Sequence, residues 1–67
     1  MPKVGDWVGL TLDGTTEAKG QVSRVVSETV VDVNVVNDLG HIVQGAVELT
    51  LAQGLNRSSP GLWWPKL

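Results

Sequence analysis

Between Thr29 and Leu51 the chain alternates apolar and polar residues on either side of a single tight turn, and few folds satisfy that pattern. Odd positions carry Val31, Val33 and Val35, then Val43, Val47, Leu49 and Leu51; even positions carry Asp32, Asn34, Gln44, Glu48 and Thr50. Period two sends one set of side chains to a core and the other to water, which is the signature of a half-buried β-strand. Asn37-Asp38-Leu39-Gly40 separates the two runs. Asn, Asp and Gly tolerate the positive φ of tight turns, so the segment reads as a hairpin. Two strands are marginal in water, so the flanking segments must complete a sheet.

The same period recurs upstream. Val4, Val8, Leu10 and Leu12 fall on one face with Asp6, while Gly5, Trp7, Gly9 and Thr11 fall on the other. This predicts a first strand over 4–12, with Trp7 opposite the aliphatic row. Asp13-Gly14 is a reversal signal. A second strand is predicted over 19–27. The change of phase between Val22 and Val25 implies a bulge or a sharp bend there, which re-aims the side chains beyond it. Gly45 occupies an inward position of the fourth strand, where a glycine marks a bulge or a bend, so that strand is expected in two pieces, 41–45 and 46–51. The expected core is Val8, Leu10, Val22, Val33, Val35, Val47 and Leu49.

Beyond Ala52 the periodicity stops. Residues 53–61 are rich in turn formers, and Leu62-Trp63-Trp64-Pro65 is a dense apolar cluster. The prolines and glycines break any helical reading of this tail. The chain therefore divides into a barrel-forming segment, 1–52, and a C-terminal arm, 53–67.

Four or five short strands with glycine-marked bends predict a small, strongly bent antiparallel barrel. Val4-Gly5-Asp6-Trp7-Val8, followed by Gly20-Gln21-Val22-Ser23-Arg24-Val25, resembles the opening of SH3-like small barrels, including KOW-type and Tudor-like modules. The resemblance covers residues 4 to about 51. It implies an all-β SH3-like barrel with the arm outside it, and it implies no catalytic residues. The aromatic cage of methyl-lysine readers is not evident, since the chain has no Tyr or Phe and only Trp7 lies within the barrel segment.

Composition narrows the function. The 67 residues carry no cysteine, which leaves no disulfide and no thiolate metal site to support a small core. Oligomerisation or docking onto a larger assembly is the common remedy. The net charge is −2, and the basic residues Lys3, Lys19, Arg24, Arg57 and Lys66 are scattered. Nucleic-acid binders usually concentrate positive charge, so nucleic acid is disfavoured as a partner. No apolar run has the length of a membrane span, and the N-terminus has no secretory pattern, so a cytoplasmic or virion-associated location is expected. Asn56-Arg57-Ser58 matches a glycosylation acceptor but lacks that secretory context.

His41, the single histidine, follows the hairpin turn, and the carboxylates Asp6, Asp13, Glu17, Glu28, Asp32, Asp38 and Glu48 are spread evenly. Neither pattern makes a catalytic pair or a metal site, and no nucleophile-elbow or phosphate-cradling glycine motif is present. No catalytic residue, cofactor or metal is assigned. Val43-Gln44 resembles half of the Val-Gln-Ile-Tyr pore motif of plasmid-borne dihydrofolate reductases, but Gly45-Ala46 follows and tyrosine is absent.

The expected function is a non-enzymatic protein-interaction or assembly module, such as a small accessory subunit of a phage capsid or tail. Its expected contact residues are Trp7, Leu62, Trp63 and Trp64, with the arm either folding back as a lid over the Trp7 face of its own barrel or reaching a protein partner or a second copy. The alternative is a nucleic-acid-associated barrel of KOW or Tudor-like type.

Overall fold

The computed structural model describes residues 2–54 and 58–66, and within them every regular element is a strand. These are β1 (Trp7–Thr11), β2 (Glu17–Val25), β3 (Val30–Val36), β4 (Ile42–Leu51) and β5 (Leu62–Pro65). They pair in sequence order, and β5 returns to β1, which closes the sheet into a barrel. Four pairings are antiparallel. The fifth, β4 with β5, is parallel and covers only Thr50↔Leu62 and Leu51↔Trp63.

Hydrophobic alternation places the core where the pattern predicts it. Val8, Leu10, Val22, Val31, Val33, Val35 and Leu49 are buried together, and Trp63 joins them. Val47 is half-buried against this cluster. Val43 departs from the pattern and is exposed. The reason lies in the pairing of β3 with β4: Val33 faces Val47 but Val35 faces Gln44, so β4 spends an additional residue and the phase slips. The slip occurs at Gly45-Ala46, so β4 is one continuous bulged strand rather than two pieces. Ala46, not Gly45, takes the positive φ of 50°, and its N–H donates to Asn34 Oδ1 at 2.9 Å. Gly45 is exposed, not inward.

The bulge expected in β2 is present, as a register shift between Val22 and Arg24. The glycine that packing demands is Gly20, in the same strand. A Cβ there would stand 2.6 Å from Asn34 O and 3.0 Å from Leu10 Cδ2. β1 begins at Trp7 rather than Val4 because Gly5 adopts φ +94° and Asp6 N–H turns back to Lys3 O. Val4 is left exposed, although Gly5 N–H still donates to Val22 O.

Side-chain acceptors fasten the turns. Asp13 Oδ1 accepts from the N–H groups of Thr15 and Thr16, at 2.9 and 2.8 Å. Buried Thr11 accepts from Gly14 N–H at 2.9 Å. Asn37 Oδ1 accepts from Leu39 and His41 N–H, and Gly40 closes the β3–β4 turn at φ +81°.

The tail corrects the sequence reading most. Leu62–Pro65 is a strand, so the barrel takes in part of 53–67 instead of ending at residue 52. Four residues are too few to display a period, and Pro60-Gly61 immediately before them reads as a loop. The alternation appears only once the neighbours are in place: Trp63 pairs with Leu10 and points inward, while Trp64 pairs with Gly9 and lies outside. Pro65 ends the strand and has no N–H with which to carry the ladder further.

Candidate functional site

The three indoles, expected to act together, fall into two groups. Trp63 is 3% exposed, and its Nε1–H donates to Thr29 O at 3.0 Å. The indole thus keeps its one polar group satisfied inside the core, as buried Trp requires. Trp64 is 8% exposed and lies flat across Gly9, where any Cβ would run into the indole ring. Leu62 is half-buried between Thr11 and Thr50. These three side chains hold β5 into its own barrel. Trp7 is different: it stands on the outer phase of β1 opposite Gln21, and 49% of its surface is open.

Trp7 forms the ridge between two clefts. The larger, about 470 Å³, has Trp63, Leu51 and Pro65 as apolar lining, with Trp7 beside them and Asp6, Glu28 and Lys66 contributing charge. The smaller, about 280 Å³, is lined by Trp7, Lys19, Val36, Gly40 and Lys66. One indole therefore serves both, with a mixed-charge cleft on one side and a cationic one on the other. Asp6 is oriented by its own loop, where its Oδ2 accepts from the backbone N–H of Lys3 at 3.0 Å.

The two clefts follow from strand register. Lys19 pairs with Gly9 on one side and with Val36 on the other, so it lies between Trp7's strand and the end of β3. Lys66 follows Pro65, the partner of Val8. Of the expected contact residues Trp7, Leu62, Trp63 and Trp64, Trp7 and Trp63 line the larger cleft and the other two do not, and the sequence alone did not single out Lys19, Lys66, Glu28 or Val36. Outward phase along β2 was the only signal for Lys19; the others depend on barrel closure. Leu39, Ile42 and Val43 form a further exposed apolar group at and beside the β3–β4 turn, also unforeseen.

The remaining electrostatics belong to the framework. Asp13 is held down to about 2, first by the Thr16 N–H and then by the Thr15 N–H, both of which favour its charged form. It lines neither cleft. His41 is exposed beside the turn. Among the described residues no group of three His, Asp or Glu converges as a metal site, and no helix is long and apolar enough to cross a membrane. Comparison with family models, with curated proteins and with solved structures gives no match to this chain.

Proposed function

We propose that this barrel, SH3-like in its strand number and opening motif, is a non-enzymatic interaction module that receives a protein partner on the Trp7 ridge. One observation carries the reading. Trp63 is buried in the core and Trp64 is covered on the outer face over Gly9, while Trp7 is half-open between two clefts. A solvent-exposed Trp forgoes the burial of a large apolar area, and Trp is enriched among the residues that dominate interface energies. The mixed charge of Asp6, Glu28 and Lys66 around an apolar lining suits a polar-rimmed protein contact. In this reading Leu62, Trp63 and Trp64 support the site by building the wall beneath it, and Trp7 makes the contact.

The test is the solution mass of the purified chain over a range of concentration, compared with Trp7→Ala. Loss of a hot-spot indole weakens association by roughly 30-fold or more, equivalent to about 2 kcal/mol, while the melting temperature changes little. A chain that stays monomeric up to ~100 µM, below the millimolar local concentration of a tethered strand, or a Trp7→Ala variant that associates as the parent does in that range, refutes the reading.

A second reading is favoured by Lys19 and Lys66. Two cations beside an open indole suit a base stacked on Trp7 with phosphates on the lysines. Such binding would fall steeply with added salt and would weaken on Lys19→Gln, whereas the protein contact would not.

A further inference from the structure

We infer that β5 is an exchangeable strand, and that the groove between β1 and β4 accepts Leu62–Pro65 from a second copy of this chain as well as from its own. The inference is independent of the Trp7 ridge, because it concerns the strand that closes the barrel.

Three observations carry it. First, β5 is a self-contained plug. It supplies one large inward side chain, Trp63, and one outer clasp, Trp64 over Gly9. Its register partners all lie in β1 and β4, so an identical strand from another molecule would remake those pairings, and with them the bond from Trp63 Nε1–H to Thr29 O. Second, β5 is joined to its neighbours unequally. It pairs with β1 at four positions and with β4 at only two, in parallel. Third, the connection is long enough to reach a second barrel. Thr50 and Leu62 are register neighbours ~4.8 Å apart across the pair, and ten residues, 52–61, join β4 to β5. Fully drawn out they reach at most ~33–36 Å, more than the molecule's longest dimension of 28 Å. Drawing them out lifts Ser58 off Gly14 in the β1–β2 turn, while the bond from Gly61 N–H to Thr11 O can be remade with the incoming strand.

The closed and exchanged forms therefore share their strand contacts, and concentration decides between them. A short tether holds its own strand at a local concentration in the millimolar range. The monomer is the form in dilute solution, and exchange takes over where copies are crowded to a comparable level. A small subunit with this property would link to its neighbours when gathered on a larger body.

A cysteine pair reads the exchange directly, because the chain has no cysteine of its own. Thr11→Cys with Leu62→Cys places thiols on register partners of β1 and β5, and adjacent strands fall within disulfide reach. The full-length double variant is refolded at ~10 µM and at ~1 mM, concentrations that bracket the local concentration of a short tether, and then oxidised. Only an internally crosslinked monomer is expected at the lower concentration. At the higher one, a reducible covalent dimer becomes a major species. Thr50→Cys with Leu62→Cys repeats the measurement across the β4 side, should the loss of the Thr11 hydroxyl unsettle its turn. Adding Trp7→Ala leaves the dimer yield unchanged, which separates this inference from the Trp7 contact. No covalent dimer at ~1 mM from either pair overturns the inference. An equal yield from Leu62→Cys alone overturns it too, since that is collision rather than exchange.

Discussion

Trp63→Ala is the substitution that most sharply tests the account of the core. The indole is 3% exposed, lies among Val8, Leu10, Val31, Val33 and Leu49, and is the one large aromatic in the cluster. Removing it withdraws most of the ~150–250 Å² that such a side chain buries. At ~25 cal/mol per Å² that is roughly 4–6 kcal/mol, in line with the ~3–5 kcal/mol of measured Trp-to-Ala truncations. The truncation also removes the Nε1–H bond to Thr29 O, an ordinary loss of about 0.5–1.5 kcal/mol, because that oxygen still accepts from Leu51 N–H at 2.7 Å. A domain of this length has total stability of only ~3–10 kcal/mol at the usual value per residue. The variant should therefore be largely unfolded at room temperature, with the near-ultraviolet circular dichroism of the native barrel lost. Trp63→Phe divides the effect, since it keeps most of the apolar area and loses the donor. It should fold with a melting temperature clearly below the parent. If Trp63→Ala melts cooperatively within a few degrees of the parent, β5 is not part of the core and the closed barrel is wrong.

Three further outcomes follow from particular residues. Gly40→Val forces a β-branched residue to φ +81°, and should destabilise the chain by about 1 kcal/mol or more in denaturant titration; an unchanged midpoint would mean the turn does not need that conformation. Gly20→Ala should cost more than an ordinary glycine-to-alanine change, because its Cβ meets the backbone carbonyl of Asn34 and not merely a movable side chain; equal or higher stability would mean that β2 and β3 can separate freely there. Asp13 has a folded pKa of about 2 against 3.8 unperturbed, so its contribution is fully present above about pH 4 and fades as the pH falls towards 2. Asp13→Asn should flatten that part of the acid-stability profile, and a variant with the parent's full acid dependence would remove the carboxylate from the argument.

The outer shape of this protein was legible in its sequence wherever the signal is local. Alternation along 29–51 determines two strands and, except at Val43 and Gly45, their inward faces, and Asn37 to Gly40 determines the turn between them, because period and turn chemistry are written in adjacent residues. The β2 bulge was legible for the same reason, as a break of phase between Val22 and Val25. Trp7's outward phase was legible too, from its place opposite the aliphatic row. Tertiary structure alone decided the rest. That Leu62–Pro65 is a strand depends on an open groove between β1 and β4, since four residues carry no period of their own. That the phase of β4 slips at Ala46 depends on the Asn34 side chain across the ladder. Trp63 enters the core and Trp64 lies over Gly9 because of the register with β1, which joins residues more than fifty positions apart. Lys19 and Lys66 come together at Trp7 only when the barrel closes, since adjacency across a closed sheet is a property of the pairing and not of any single stretch of the chain.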